Sequence, residues 1–141
     1  GAYQRIELSE NGLDCRIVPA SDPVGEGTYN AAEFTPALIK DGEKIEDSFW
    51  TGEQPRACFG TGDQGVYMLI IEGRYPDEGI RGTSVNTCSD ILLSYGCRNA
   101  LNMDGGSSAI LWYDGEYVTQ CSSSFLRYTG GRPLPNAWVY G

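Results

Sequence analysis

Glycine is the residue that most constrains this chain, because 19 of its 141 residues are glycines. That is about 13% of the chain, against an average of roughly 7% in proteins. The glycines follow no collagen-like period, so they mark turns and places where two backbone segments approach closely. By length, residues 1–141 are expected to form a single domain with a core of its own.

Several apolar segments between the glycines have the length and composition of β-strands. Residues 3–8 and 13–18 flank Asn11-Gly12, a dipeptide that is a strong signal for a β-hairpin turn. Residues 66–71 form a continuous apolar run, which suits a strand at the centre of a sheet that is covered on both faces. Further strands are predicted at residues 37–39, 55–60, 98–102, 109–113, 116–119 and 136–140.

Between residues 83 and 95 the apolar residues change to the period of a helix. Thr83 or Ser84 can cap its N-terminus, and Gly96 can end it. The expected fold class is therefore α/β or α+β, a mixed β-sheet with one main helix. The apolar residues that share one helical face are Val85, Cys88, Leu92 and Tyr95.

Charge and composition exclude several classes of function. The net charge of −9 leaves no basic surface for nucleic acid, and it disfavours an anionic membrane surface. No apolar run approaches the 18 residues or more that a transmembrane helix requires. The absence of histidine excludes Ser-His-Asp, Cys-His and His-metal chemistry. An acidic chain with two lysines, nine tyrosines and five cysteines favours an extracellular or secreted protein.

The five cysteines have no CxxC spacing, so zinc binding and thioredoxin-type chemistry are disfavoured. Cys88 and Cys97 are expected to be small buried apolar residues. One disulfide among Cys15, Cys58 and Cys121 is left open, with no pairing assigned. The acidic residues do not form a 12-residue calcium loop, and no metal or cofactor is expected.

The strongest candidate site is Asp104-Gly-Gly-Ser-Ser108, an acid at a strand end followed by two glycines and two hydroxyls. Gly105 and Gly106 allow positive φ, so successive N–H groups can point into one concavity and bind an anion. Ser107 and Ser108 add hydroxyl donors. The alternative interpretation is an ordinary tight turn with polar caps.

A second candidate is Glu72-Gly-Arg74, which follows the apolar strand at residues 66–71. Open α/β sheets bind ligands at such strand ends, and arginine holds a phosphate through two parallel hydrogen bonds. Arg56 is a third possible anion contact. The alternative is a solvated strand end with an internal Glu–Arg pair, and a surface position for Arg56.

The order and spacing of these segments resemble the phosphodiester glycosidase domain family, over roughly residues 30–141. The resemblance is to the C-terminal half of such a domain. The family's Asn-Gly-Gly-Phe motif is absent, Glu72 stands where Asp is common, and two glycines follow Asp104 where three are common. The matching segments are Phe34-Thr-Pro-Ala-Leu-Ile-Lys-Asp-Gly42, Pro55-Arg-Ala, Glu72-Gly-Arg74, Gly82-Thr, Asn102-Met-Asp-Gly-Gly-Ser-Ser108, Arg132-Pro and Asn136-Ala.

The resemblance implies hydrolysis of a sugar-1-phosphodiester at its glycosidic carbon. It implies that Asp104 faces the sugar carbon as nucleophile or general base. Arg74 and Arg56 would hold the phosphate, together with the N–H groups of the glycine loop. Glu72 would be the second carboxylate or would orient Arg74.

The remaining implied residues, Arg132 and Asn136, would close the pocket. Residues 1–29 are then an N-terminal hairpin and loop outside the resemblance. Because the family's first-half motif is absent, we expect a partner chain or a second copy to complete the fold, with residues 1–34 making many of the contacts. The expected partner is a phosphorylated glycan, and the alternative function is a non-catalytic module of an extracellular fibre or coat.

Overall fold

A computed structural model describes residues 2–12 and 14–140. Leu13, the predicted first residue of the second hairpin strand, lies outside the described residues, as do Gly1 and Gly141. The helix α1 spans Val85–Ser94. The strands within the described residues are β1 (Gln4–Leu8), β2 (Cys15–Pro19), β3 (Asn30–Phe34), β4 (Ala37–Lys40), β5 (Glu43–Lys44), β6 (Arg56–Gly62), β7 (Gly65–Ile71), β8 (Cys97–Met103), β9 (Trp112–Tyr113) and β10 (Glu116–Tyr117).

The strands form two main sheets. One has the order β2-β1-β3 and the other the order β5-β4-β8-β6-β7, while β9 and β10 make a small separate ribbon. Every pairing within the described residues is antiparallel. The predicted fold class, β-sheets with one main helix, is confirmed, and it takes the α+β form. The sheet was expected to be mixed, but its described strands are antiparallel.

The five-stranded sheet is the middle layer, with a core on each face. Neighbouring residues of one strand enter different cores: Cys58 packs on the side of α1, and Phe59 packs on the side of β1 and β2. Ala100 and Leu101 of β8 divide in the same way. This alternation follows from the period of two along a strand, and it places both buried strands between two apolar layers.

The prediction that residues 66–71 lie at the centre of the sheet is wrong, because β7 is an edge strand and, among the described strands, pairs only with β6. Its side chains are half-buried on both faces. Tyr67 and Leu69 pack against the core under α1, whereas Val66 and Met68 pack against the opposite core. The continuous apolar pattern therefore reports two covered faces and says nothing about the number of neighbouring strands.

The predicted helix is confirmed with its cap. The Ser84 hydroxyl accepts a hydrogen bond from the Thr87 N–H, and Gly96 follows the helix with φ of 89°. Val85, Cys88 and Leu92 are buried as predicted. Tyr95 is 70% exposed, so the predicted stripe stops one turn early, where the helix ends.

The C-terminal region is more irregular than predicted. Residues 136–140 form no strand; instead Trp138 stacks on Phe59 with ring centroids 3.9 Å apart. The predicted hairpin at 109–119 is present only as the two-residue strands β9 and β10. No helix in the described part of the chain is both long and apolar enough to cross a membrane.

All five cysteines are described, and all are free thiols. The disulfide considered among Cys15, Cys58 and Cys121 is therefore not formed. Cys88 and Cys97 are buried as expected, and burial raises the pKa of the Cys97 thiol to about 11. A thiol with so high a pKa is unreactive at neutral pH, in agreement with a packing role.

A buried cluster of charged side chains connects the N-terminal sheet to the loop between β2 and β3. The Glu7 carboxylate accepts hydrogen bonds from Arg5 Nε at 2.8 Å, from Arg16 Nε at 2.7 Å and from the Gly25 N–H at 3.2 Å. Glu7 is 2% exposed. Burial raises the pKa of Glu7, but the hydrogen bonds outweigh it and leave the pKa below the ordinary 4.5.

A lowered pKa makes the contribution of Glu7 depend on pH. Its stabilising effect is complete above the ordinary value of 4.5 and is lost as pH falls through the lower value of the folded state. We expect the difference in unfolding free energy between the wild type and Glu7→Gln to narrow as pH falls below about 4.5. Urea unfolding at several pH values measures it, with Glu33→Gln, an exposed partner of Arg5, as the control.

At Gly60 on β6, the backbones of β6 and β8 approach each other closely. A Cβ there would lie 2.5 Å from the Asn99 carbonyl oxygen and 2.6 Å from the Cys97 Sγ. We expect Gly60→Ala to destabilise the fold by about 1–3 kcal/mol, as overpacking does. Gly52→Ala, whose Cβ would meet nothing within 4 Å, should change stability by less than about 0.5 kcal/mol. Equal midpoints in urea for the two variants would contradict this account.

Candidate functional site

The register of β6 against β8 creates the site. Ala57 pairs with Met103 in antiparallel orientation, so the residues before β6 lie beside the residues after β8. The Gly106 N–H donates to the Pro55 carbonyl at 3.0 Å. A Cβ on Gly105 would lie 2.5 Å from that same oxygen, so only glycine fits there without a shift of backbone.

Arg74, in the loop that follows β7, extends its side chain to the glycine loop at residues 105–106. Its backbone has φ of 69°, in the left-handed region that costs a residue with a side chain free energy. The guanidinium donates from Nε and Nη2 to the Gln54 Oε1 at 3.3 and 3.2 Å. Its Nη2 would lie 3.1 Å from a Cβ added to Gly106. The arginine therefore lies directly against the glycine loop.

These segments surround a cleft of about 430 Å³. One part of its wall is aromatic and the other is polar, with three arginines and one carboxylate. The lining residues are Phe34, Trp50, Gln54, Pro55, Arg56, Arg74, Asn102, Met103, Asp104, Gly105, Gly106, Ser107 and Arg132.

Asp104 and Arg132 form the one ion pair recorded for the cleft among the described residues. Arg132 Nη2 is 3.6 Å from Asp104 Oδ2 and also donates to the Ser108 hydroxyl. The side chains are 65% and 50% exposed, respectively. Such an exposed pair is weak, so both groups can turn to a ligand at little cost.

Arg56 has a different character, because it is 5% exposed and its Nε and Nη2 donate to backbone carbonyls. Its guanidinium donates to the carbonyl oxygens of Thr83 at 2.9 Å and Gly52 at 2.8 Å, and more weakly to Trp50. Burial lowers the pKa of Arg56 from its ordinary value. Even with a lowered pKa, the guanidinium keeps its positive charge beside the cleft at neutral pH.

The structure brings Arg56, Arg74, Asp104, Arg132 and residues 105–107 to one cleft. Three predicted site residues, Glu72, Ser108 and Asn136, do not line it. The Glu72 Oε1 accepts a hydrogen bond from the Gln120 N–H at 2.5 Å, so the carboxylate is turned to a neighbouring loop. Asn136 is exposed and is not among the lining residues.

Six residues of the wall were not predicted from the sequence: Phe34, Trp50, Gln54, Pro55, Asn102 and Met103. The aromatic pair meets edge to face, with centroids 6.5 Å apart, although 16 positions separate the two residues in sequence. No local spacing could have signalled that contact. Asn102 stood inside the matched motif and so could have been found from the sequence.

Asn102 is notable because half of its carboxamide is unpaired. Nδ2 donates to the Thr35 carbonyl at 2.9 Å, which fixes the orientation of the group. Oδ1 is buried and has no hydrogen-bond partner within the described residues. Leaving a buried acceptor unsatisfied costs roughly 1–3 kcal/mol. Such a cost in a cleft floor is typical of a functional site.

A second cleft of about 420 Å³ lies at the other end of β6, around Thr61 and Gly62. It contains Arg98 together with two carboxylates, Asp14 and Asp63, so its charges are less suited to an anion. Within residues 2–12 and 14–140, no three His, Cys, Asp or Glu side chains group as metal ligands.

Fold and cleft together define an α+β domain with an arginine-lined cleft at the ends of three strands. The sequence profile of the phosphodiester glycosidase family matches residues 3–140, so the match includes the N-terminal hairpin. The chain therefore belongs to the phosphodiester glycosidase family, and the resemblance seen in the sequence is confirmed.

Individual relatives are distant. The SPbeta prophage-derived uncharacterized protein YomE of Bacillus subtilis is 27% identical over 120 residues, which are 79% of this chain and 18% of that protein. The catalytic domain of zebrafish N-acetylglucosamine-1-phosphodiester alpha-N-acetylglucosaminidase, auto-inhibited by its pro-peptide, superposes with a TM-score of 0.61 at 15% identity. That match covers 86% of this chain and 45% of the zebrafish chain.

A hypothetical protein from Synechocystis superposes with a TM-score of 0.52 at 18% identity, over 86% of this chain and 31% of the other. At these identities the solved structures show a shared fold. The chain spans less than half of the length of each of these three relatives.

A cleft with this arrangement of arginines should bind phosphate. We expect millimolar inorganic phosphate to raise the melting temperature, because a ligand that binds only the folded state stabilises it. Arg74→Ala and Arg132→Ala should each reduce the shift. Arg81→Ala removes an exposed arginine outside the cleft and should leave the shift unchanged. Differential scanning fluorimetry measures the effect, and identical shifts in all four proteins would exclude this cleft as the phosphate site.

Proposed function

We propose that this chain carries the active site of a hydrolase that cleaves a sugar-1-phosphodiester in an extracellular glycan or glycoconjugate. The observation that carries the proposal is the cleft itself. It sets Asp104 beside Arg74 and Arg132, next to an aromatic wall. Cations suit the phosphate, the aromatic wall suits a sugar ring, and the carboxylate suits the carbon between them.

The reaction breaks the bond between the anomeric carbon and a phosphate oxygen. Water adds its hydroxyl to the carbon, and the products are the free sugar and a phosphate monoester. The monoester is already a good leaving group, so the reaction needs less general-acid help than the departure of an alkoxide. The transition state is oxocarbenium-like, with negative charge growing on the phosphate.

Donors aimed at the phosphate would then supply most of the rate acceleration. Arg74 and Arg132 are exposed enough to contact it directly, and the backbone of residues 105–107 lines the same wall. Arg56 would act mainly through its charge, since its Nε and Nη2 are bound to backbone carbonyls. Ser108 would orient Arg132 through its hydroxyl.

Asp104 would act as nucleophile or as general base on the attacking water. Among the described residues it is the carboxylate that lines the cleft, and its Oδ2 lies 3.6 Å from Arg132 Nη2. Of the two roles open to Glu72, the hydrogen bond from Gln120 favours the orienting one. A single carboxylate in the cleft agrees with a leaving group that needs little protonation.

Phe34 and Trp50 would contact the apolar face of the sugar. Their rings are half-buried and meet at 65°, so the pair is held rigidly. The other two tryptophans have different positions, because Trp112 lies on the exposed ribbon and Trp138 is stacked on Phe59. Trp50 is therefore the tryptophan that we assign to sugar stacking.

We further propose that additional polypeptide, from a partner chain or a second copy, completes the cleft. The relatives are longer than this chain, and β7 has an open edge beside Arg74. The same open edge favours one alternative function, a non-catalytic module that assembles by strand addition into an extracellular fibre or coat. In that case the cleft would bind a phosphorylated glycan without cleaving it.

Substitution of Asp104 separates these two functions. In Asp104→Asn we expect kcat on a methyl phosphodiester of N-acetylglucosamine, glucose or mannose to fall by roughly 10²–10⁴-fold. Phosphate binding should persist or strengthen, because a negative charge beside Arg132 is removed. Release of the free sugar measures the rate, and Asp63→Asn, which removes a carboxylate at the far end of β6, is the matched control.

The wild-type chain must release sugar from at least one of these diesters for the catalytic proposal to stand. Binding of the diesters without any release, in a protein that sediments as a polymer, would support the structural alternative instead.

A further inference from the structure

Two loops meet beside the cleft and are joined by a dense set of contacts. The first loop follows β7 and carries Arg74. The second, residues 120–128, follows the exposed ribbon and does not line the cleft. Neither loop contains a strand or an α-helix of its own. Side-chain contacts therefore hold one against the other.

Arg127 lies at the centre of this junction. Its Nη1 and Nη2 donate to the two oxygens of Glu78, at 2.6 and 2.8 Å. Its guanidinium lies 3.9 Å from the centre of the Tyr75 ring, and its Nε donates to the Gln120 Oε1 at 2.7 Å. The side chain is 14% exposed. All three donor directions of the guanidinium are thus used, which a lysine could not reproduce.

Two further hydrogen bonds connect the loops on either side of Arg74. The Gln120 N–H donates to Glu72 at 2.5 Å, and the Tyr75 hydroxyl donates to the Cys121 carbonyl at 2.6 Å. The residue two places before Arg74 and the residue after it are therefore both fixed to the second loop. The hydrogen bond from Arg127 also lowers the pKa of Glu78, so the ion pair stays charged at neutral pH.

Arg74 itself is weakly held. Its guanidinium has two long hydrogen bonds, both to the single Oε1 of Gln54, and its backbone occupies the left-handed region. A conformation of this kind costs free energy in a residue with a side chain, and it persists only where the surroundings impose it. The junction with the second loop is the neighbouring structure that can impose it.

We propose that Arg127 is a positioning residue, which acts through Tyr75, Glu78 and Gln120 to hold Arg74 against the glycine loop. The inference rests on the proposed function in assigning Arg74 to the phosphate. It adds that the affinity of the cleft for phosphate depends on a residue that does not touch the ligand. It also assigns Glu72 to the junction, where its carboxylate accepts a hydrogen bond from the Gln120 N–H.

The test uses Arg127→Lys in the full chain, because lysine keeps the charge and loses the planar fork. We expect the Kd for inorganic phosphate to rise about fivefold to tenfold. On a cleaved diester, KM should rise by a similar factor while kcat changes less than threefold. The ¹⁵N heteronuclear NOE of the Arg74 side-chain Nε–Hε should fall, which reports directly on the order of that guanidinium.

Two other variants make the comparison specific. Tyr75→Phe keeps the ring under Arg127 and removes only the hydroxyl, so it should have a smaller effect of the same kind. Lys44→Ala disrupts ion pairs with Glu46 and Asp90 at the opposite edge of the five-stranded sheet. It should leave both the phosphate Kd and the Arg74 NOE unchanged. Should Arg127→Lys fail to fold, Tyr75→Phe carries the test.

An unchanged Arg74 NOE and phosphate Kd in Arg127→Lys would overturn the inference, as would an equal loss in Lys44→Ala. The proposed reaction can fail separately. If the wild type cleaves no diester while Arg127→Lys still loosens Arg74 and weakens phosphate binding, the positioning role stands and the hydrolytic function does not.

Discussion

The pairing of β8 with β6 is the constraint on which the rest of the structure depends. Because β8 also pairs with β4, it joins both halves of the five-stranded sheet and contributes to both cores. Its register against β6 puts the glycine loop on the Pro55 carbonyl, with no room for a side chain at Gly105. A shift of one residue would exchange the two core faces and separate the loop from Arg74.

The cleft concentrates positive charge in an acidic protein. Three of the ten basic residues line it, although the whole chain carries a net charge of −9. Each cation is held in a different way: Arg56 by buried carbonyls, Arg132 by Asp104 and Ser108, and Arg74 by the shape of its loop. An anionic ligand is therefore repelled by most of the surface and attracted at one place.

Local signals in the sequence were sufficient for the helix and the N-terminal hairpin. That Arg74 and Asp104 would lie at one site was expected from the order of the motifs shared with the family, and both line the same cleft. Local signals failed where the outcome depends on distant contacts. The apolar run of β7 is the same for an edge strand and a central strand when both faces are covered. The Glu72 carboxylate lies away from the cleft, where it accepts a hydrogen bond from a backbone N–H 48 residues later in the chain. Trp138 is not part of a strand; its ring stacks on Phe59.

The position of β8 between β4 and β6 also has a kinetic consequence. The strands β4 and β6 come earlier in the chain and do not pair with one another, because β8 lies between them in the sheet. The sheet cannot be completed before β8 has been synthesised. The hairpin of β6 and β7 can form early, since its contacts are local. The two halves of the sheet are joined only when residues 97–103 pair with β4 and β6. Because Asp104 directly follows that strand, the sheet is completed and the cleft is formed in the same step.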